Sequence, residues 1–513
     1  MSRHIVLILL VLLLAGCAVN PVTGRKELTL IGEGTELQIG AEQYAPLRQM
    51  QGGDYVTQPQ IVAYVKEVGE RLAAVSDRPL PYEFQVINDS TPNAWALPGG
   101  KIAINRGLLT EMQSEAELAA VLGHEIVHAA ARHSAQSMQR GMLLQGAVLA
   151  AAMAAGNSEY AGLAVGGASV AAGLVSQQYS REAEREADYY GMLYMSRAGY
   201  DPAAAVELQQ TFVRLSEGRQ SNWLEGLFAS HPPSQERVDA NRRTLAELPA
   251  GGQMGVERYH RVMAPLVAAQ KAYDAYDEGR KVLHENRPDQ ALTLANQAIA
   301  GEPKEALFYG LRGDALRKQG REREAIAAFD QALQRHPDYF HYYLQRGLAY
   351  QALGETTAAN ADLERSVALL PTAPAMNSLG QLALNRGERT RAMEYFSAAA
   401  RSDSATGRQA HAALVRLDLP ENPDKYLKID FALDRQGQLI ARLANQTPVA
   451  VTEITLEVGY IDQAGKRQQT RLLVAGPIAA GATYQAATGL GPISDPAQIK
   501  NLGGRVAAAR VAD

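Results

Sequence analysis

The amino-acid sequence predicts a mainly α (α+β) chain of three unlike parts, and three observations carry that reading. Apolar residues recur at helical spacing through most of the first half, broken near Phe84 by a strand-like run and a hairpin. A 34-residue period follows, marked by Pro303, Pro337 and Pro371 and by Gly279, Gly313 and Gly347. Beyond Pro423 the period drops to two, with Leu427, Ile429, Phe431 and Leu433 on one side of the chain. The expected order is a helical domain with a small β-hairpin or sheet, then a helical solenoid, then a small C-terminal antiparallel β-domain.

At 513 residues the chain is too long for one core. Fifty basic against 55 acidic residues leave a formal charge of -5, which gives no reason to expect nucleic acid. Charged residues at 20% and hydrophobic ones at 46% describe ordinary soluble globular material. The N-terminus is different. Arg3 and His4 precede the apolar run Ile5 to Leu14, so residues 1–16 read as a signal peptide, too short to span a bilayer. Cys17 is the one cysteine of the chain, and Leu14-Ala-Gly-Cys17 resembles the bacterial lipobox. That resemblance implies lipidation of Cys17 and, with Ala18 rather than aspartate after it, a periplasmic protein held to the outer membrane through its lipid. No intrachain disulfide can form.

Asn20-Pro-Val-Thr-Gly-Arg25 reads as a turn leading away from that anchor. Helical patterns cover about 35–50 and 59–75, the second with Ile61, Val65, Val68 and Leu72 on one face. Phe84, Val86 and Ile87 then form a strand. Asn93-Ala94-Trp95-Ala96-Leu97, the turn Pro98-Gly-Gly100 and Lys101 to Asn105 read as a hairpin. An edge strand at 93–97 beside a metal helix suits an extended peptide held by main-chain hydrogen bonds; a purely structural hairpin is the other reading.

The chemistry concentrates in Leu118 to Arg132. Ser114 and Glu117 have the spacing of a capping box, and the Ala/Leu-rich run behind them favours a helix. On that helix His124 and His128, four apart, present two imidazoles to one ion, and Glu125 reaches a water on it. This is the His-Glu-x-x-His arrangement of zinc peptidases. A second helix is expected from Ser180, its N-cap, to near Gly199. Glu184 and Asp188 share one of its faces while Glu182 and Glu186 point elsewhere. One carboxylate as ligand and another orienting a ligand histidine complete a His-His-Glu site.

His124-Glu-Ile-Val-His128, Ser180-Arg-x-x-Glu-x-Glu-Ala-Asp188, Pro92-Asn-Ala-Trp-Ala-Leu-Pro-Gly-Gly100 and Ala198-Gly-Tyr-Asp-Pro202, in this order, resemble the gluzincin metallopeptidases of the HtpX and prenyl-protease class, in the layout of its BepA-like periplasmic branch. The resemblance covers roughly 20–260. It implies one zinc ion per chain on His124, His128 and Glu184, with Glu125 as general base and Asp188 behind the ligands. It also brings His231, in Ser230-His-Pro-Pro-Ser-Gln-Glu-Arg237, near the metal, as a gate over the open position or a donor to the developing oxyanion. His133, five past His128, turns away from the metal face and reads as structural.

Two apolar runs, Gly141 to Gly156 and Ala161 to Ser176, separate the metal helices. Both are too short for a convincing membrane span. They form a hairpin that touches membrane, touches a partner or lids the site, or else two buried core helices. The 34-residue period matches tetratricopeptide helix pairs, about 272–305, 306–339, 340–373 and a shortened one to about 405, whose concave side commonly binds peptide or protein. Tyr339, Tyr342, Tyr343 and Arg346 are candidates for that surface. The expected divisions are 17–265, 268–405 and 424–513, the last a binding or docking module that departs from the BepA-like layout. Together these imply a periplasmic zinc endopeptidase for unfolded or stalled envelope proteins, with outer-membrane assembly machinery as a partner. The alternative is an assembly factor or chaperone that binds through its repeats, with proteolysis rare or gated. Intramembrane cleavage of prenylated peptides is disfavoured, because no segment is a clear span.

Overall fold

A computed structural model describes residues 17–140, 179–218, 225–461, 467–493 and 502–512. The expected signal peptide at 1–16 and both apolar runs, Gly141 to Gly156 and Ala161 to Ser176, lie outside the described residues. By its contacts the chain divides into two compact units, Met1–Gln345 and Arg346–Asp513. Among the described residues no helix is long and apolar enough to cross a membrane.

The first unit opens with a two-stranded ribbon, β1 (Cys17–Val19) on β2 (Lys26–Leu28), followed by α1 (Glu33–Met50) and α2 (Pro59–Ala73). Proline starts α2, where its missing N–H costs nothing, and Ile61, Val65, Val68 and Leu72 are buried as their spacing requires. The expected hairpin is present as β4 (Ala94–Leu97) on β5 (Lys101–Asn105). The strand β3 (Glu83–Ile87) joins it in parallel, giving the order β3-β5-β4.

After the short α3 (Arg106–Leu109) comes α4 (Glu115–Ala130), which carries the histidine motif and is buried almost along its whole length. Its start is as the sequence requires: Ser114 Oγ accepts from Glu117 N at 3.1 Å. The Glu117 carboxylate turns back to the amide of Gln113, one residue earlier than in an ideal capping box. The partner helix α5 (Arg181–Arg197) is capped by Ser180, whose side chain accepts from Ala183 N at 3.2 Å, and ends before Gly199 at φ +81°. The helices meet at two glycines. A Cβ on Gly191 would lie 3.1 Å from the backbone nitrogen of His124, and one on Gly123 would lie 3.2 Å from the carbonyl oxygen of Gly191. That close approach brings the carboxylates of α5 within reach of the histidines of α4.

Helices α6 (Ala203–Gly218), α7 (Glu225–Ser230), α8 (Gln235–Glu247) and α9 (Val256–Ala268) complete the surroundings of the motif. The helix pairs α10 (Gln270–His284) with α11 (Pro288–Gly301) and α12 (Ala306–Lys318) with α13 (Glu322–Arg335) are the first repeats. Their period has a packing cause: a Cβ on Gly313 would meet the Phe329 ring at 2.5 Å, so glycine in one helix makes room for the aromatic of the next. One core runs from the sheet through α4 into these repeats, with Val68, Val86, Ile126, Tyr273 and Phe329 among its members.

The division between the units falls inside α14 (Phe340–Ala352). The second unit continues the helix pairs with α15 (Thr356–Leu369), α16 (Ala373–Asn385), α17 (Arg389–Ala399) and α18 (Ala405–Asp418). After α19 (Pro423–Tyr426) its strands form two three-stranded antiparallel sheets. One has the order β10-β7-β6, from β6 (Leu427–Leu433), β7 (Leu439–Asn445) and β10 (Thr483–Ala487). The other is β11-β8-β9, from β8 (Val451–Ile461), β9 (Arg467–Val474) and β11 (Gly503–Val511). Leu443, Ile454, Leu456 and Val506 are buried together.

Candidate metal centre

Four side chains from three places in the chain converge: His124 and His128 on α4, Glu184 on α5, and His231 just past α7. One ligand atom from each lies within 4.8 Å of all the others. His124 Nε2 is 3.0 Å from His128 Nε2, 3.3 Å from His231 Nδ1 and 3.6 Å from Glu184 Oε2. Glu184 Oε1 is 3.5 Å from His128 Nε2 and 2.9 Å from His231 Nδ1. Four donors at zinc distances of about 2.0–2.1 Å stand roughly 3.3 Å apart at the corners of a tetrahedron, so the spacing is that of a zinc site.

The hydrogen bonds on the far side say the same. His124 Nδ1 is 3.0 Å from Asp188 Oδ1, an acceptor, so the proton of a neutral ring sits there and the Nε2 lone pair faces the cluster. His128 Nδ1 is 2.9 Å from His133 Nδ1, and His133 Nε2 is 3.2 Å from Glu186 Oε2. With a proton on each donor in turn, His128 also aims its Nε2 lone pair inward. Two lone pairs 3.0 Å apart repel unless a cation lies between them, and the donor set fits zinc.

Glu125 is buried beside this cluster. Its Oε1 is 3.6 Å from His231 Nε2, and its Oε2 is buried without a hydrogen-bond partner among the described residues. Burial pushes its carboxyl above the ordinary range, against the pull of His231 and His124. Burial acts the same way on Glu184, but His231, His128 and His124 outweigh it and hold that carboxyl well below the ordinary range. Burial lowers His128 well below its usual value. For His231 the burial that lowers it is outweighed by Glu184 and Glu125, and the net shift is upward.

Asp188 stands where expected, behind His124, and has a partner the sequence reading passed over. Arg237 of α8 donates to both its oxygens, Nε to Oδ2 at 2.8 Å and Nη2 to Oδ1 at 2.7 Å. Burial raises Asp188, yet Arg237 and His124 bring it below the ordinary range. Nη1 of Arg237 also lies 2.8 Å from Glu184 Oε2 as an ion pair, outside hydrogen-bond geometry, since that oxygen has no hydrogen-bond partner among the described residues. The signal was available: Arg237 sits three residues after Ser234, the N-cap of α8, in the segment already singled out for His231.

His133 lies off the metal face, as expected, yet it touches the site: α4 ends at Ala130, Arg132 takes a left-handed φ of +64°, and the redirected chain brings His133 against the far side of His128. Glu186 takes part as well, bonded to His133 and 3.0 Å from Arg25 Nη1, which ties the N-terminal ribbon to the ligand helix. Tyr179 was not foreseen. Its ring stacks on His128 with centroids 3.9 Å apart, and its hydroxyl is 2.8 Å from Ser134 Oγ.

Of the other predicted residues, Ala94 to Leu97 form the sheet's edge strand, which packs on α4. All four are buried, Trp95 donates to Gln51 Oε1 at 2.8 Å, and Ala96 O accepts from Ser134 Oγ at 3.4 Å. Asn93 is also buried, its carbonyl taking the amide of Asn105 at 2.8 Å. Cys17 opens β1, paired with Leu28.

Residues 59–245 match the profile of peptidase family M48, and 276–340 and 344–405 match tetratricopeptide repeats. The chain is 27% identical over 412 residues to the beta-barrel assembly-enhancing protease of Escherichia coli K12, covering 72% of this chain and 82% of that one. It is 38% identical over 189 residues to the mitochondrial metalloendopeptidase OMA1 of Schizosaccharomyces pombe, covering 36% of this chain and 53% of the relative. With the metalloprotease YcaL of E. coli K12 the identity is 29% over 193 residues, 36% of this chain and 74% of the relative. The chain thus spans about half the length of the yeast relative and most of the two bacterial ones.

Proposed function

From a chain that carries a peptidase family M48 metalloprotease domain followed by tetratricopeptide repeats, we propose a zinc-dependent endopeptidase of the bacterial envelope. The observation that carries the reading is the cluster of His124, His128 and Glu184, with Oε2 of Glu125, unpaired among the described residues, buried beside it. His124, His128 and Glu184 would hold one zinc ion, which when bound supplies a Lewis acid that acidifies water and polarises a carbonyl. Glu125 takes a proton at Oε2 and returns it to the leaving amine; its burial suits a base that must also act as an acid. Asp188, clamped by Arg237, holds the His124 ring, and His133 holds that of His128. His231 gates the site or donates to the developing oxyanion, a reading its 2.9 Å approach to Glu184 supports.

The substrates we propose are misfolded or stalled envelope proteins, brought to the site by the repeats, with outer-membrane assembly machinery as a partner. This rests on the name of the E. coli relative and on the repeats. The leader and Cys17 support a periplasmic protein anchored to the outer membrane by lipid, with domains at 17–265, 268–405 and 424–513. A second reading, an assembly factor whose proteolysis is gated, draws on the same His231, which already stands among the metal donors.

The test is digestion of an unfolded protein by the zinc-loaded chain starting at Ala18, beside Glu125→Gln at matched zinc content. Cleavage by the parent alone is expected. Equal cleavage by both would remove Glu125 as the base; no cleavage by either, with zinc bound, would favour the assembly factor.

A further inference from the structure

Next to the catalytic pair is a recess of about 60 Å³ that the chemistry above does not use. His124 and Glu125 line it together with the apolar Val121, Met192 and Leu208, and α6 contributes Gln209. That glutamine is 6% exposed, and its Nε2 is buried with no hydrogen-bond partner among the described residues. Buried amide groups are almost always paired in folded proteins, so an unpaired one bordering a cavity beside the reacting groups marks where a ligand completes the bond.

The dimensions and chemistry of the recess restrict that ligand. Benzene fills a cavity of about 150 Å³, so a recess of this size takes a few heavy atoms and excludes a ring. Of its other polar groups, Asp188 and Arg237 are bonded to each other, and His124, Glu125 and His231 belong to the cluster described above. What remains is an apolar wall with the amides of Asn241 and Gln209, of which Gln209 carries the buried, unpaired nitrogen. A hydroxyl both donates and accepts, so it suits either end of that amide.

Resting on the zinc-peptidase reading, we propose that this recess receives the side chain of the substrate residue flanking the scissile bond. Gln209 selects a short, uncharged side chain with a hydroxyl, so that threonine and serine are preferred to valine and alanine. Threonine against valine is the sharpest comparison, because the two have the same shape and differ in the group that meets Gln209.

The experiment measures binding of acetyl-threonine hydroxamate and acetyl-valine hydroxamate, probes that ligate the metal, to the zinc-loaded full chain and to Gln209→Leu. The parent is expected to bind the threonine probe about tenfold more tightly, the worth of one hydrogen bond in a dry site. In Gln209→Leu the preference disappears or reverses, while zinc content, melting temperature and affinity for the valine probe are retained. Equal affinities in the parent, a preference that survives Gln209→Leu, or no binding of either probe would each overturn the assignment. Digestion of an unfolded protein is scored separately. A parent that prefers the threonine probe but cleaves nothing keeps the recess and loses the peptidase; one that cleaves without the preference keeps the peptidase and loses the recess.

Discussion

Glu184 in the metal cluster and Glu305 between the sheet domain and the first repeats are similarly buried, 3% and 1% exposed, and their surroundings are opposite. Glu305 is met by groups that donate to it: Asn88 Nδ2 at 3.0 Å and Leu307 N at 3.0 Å on one oxygen, Thr57 Oγ1 at 2.7 Å and Tyr273 OH at 2.6 Å on the other. Glu115, at the start of α4, is satisfied in the same manner by Tyr64 OH at 2.8 Å, Tyr200 OH at 3.0 Å and Arg258 Nη1 at 3.2 Å. Glu184 instead faces three imidazole nitrogens, two of which present lone pairs; its guanidinium neighbour Arg237 is bonded to Asp188, and among the described residues Glu184 Oε2 has no hydrogen-bond partner. A carboxylate saturated by hydrogen bonds holds a fold together; one left facing lone pairs suits a cation.

The strongest way to break this contrast is Glu184→Gln. If the cluster is a zinc site, metal affinity should fall by far more than the ~10- to 100-fold that loss of an outer partner costs. Hydrolysis should vanish with it. Adding zinc at 100 times the parent's Kd should stabilise the parent by about 2.7 kcal/mol and leave the variant's unfolding midpoint unmoved. Metal analysis and thermal unfolding read both; full zinc occupancy in the variant would remove Glu184 as a ligand.

Glu305→Ala should act in the other currency. Leaving Asn88, Thr57 and Tyr273 without an acceptor should cost about 3 kcal/mol in denaturant unfolding, with zinc content unchanged. Loss of zinc at undiminished stability would contradict the division drawn here. The smallest of the three effects is expected from His133→Ala, which removes the acceptor for His128 Nδ1: zinc affinity should drop ~10- to 100-fold in chelator competition. His133→Gln, whose side-chain carbonyl can still accept, should recover part of it. Equal affinity in parent and both variants would return His133 to a purely structural role.

Much of this site was legible in the chain. His124, Glu125 and His128 follow from helical spacing within one turn, and Ser114 and Ser180 cap their helices through local hydrogen bonds. Gly279, Gly313 and Gly347 recur because the first helix of each pair packs closely on the second, at Leu294, Phe329 and Leu363. The contact of His133 with His128 is not legible from helical spacing, because the helix ends at Ala130 and the left-handed Arg132 redirects the chain. Arg237, Tyr179 and Gln209 belong to other segments, and periodicity carries no information about which of them meet.

The candidate ligands on each helix and their spacing, the helix starts, the solenoid period and the alternation of the C-terminal strands were legible in the chain, because each depends on residues within a turn or one repeat. Folding alone shows that Asp188 reaches His124 with Arg237 behind it, that His231 stands among the candidate ligands, and that a glutamine unpaired among the described residues borders the recess beside Glu125. These contacts join residues up to 107 positions apart. They depend on how closely α4 and α5 approach at Gly123 and Gly191, a distance set by packing rather than by any local pattern.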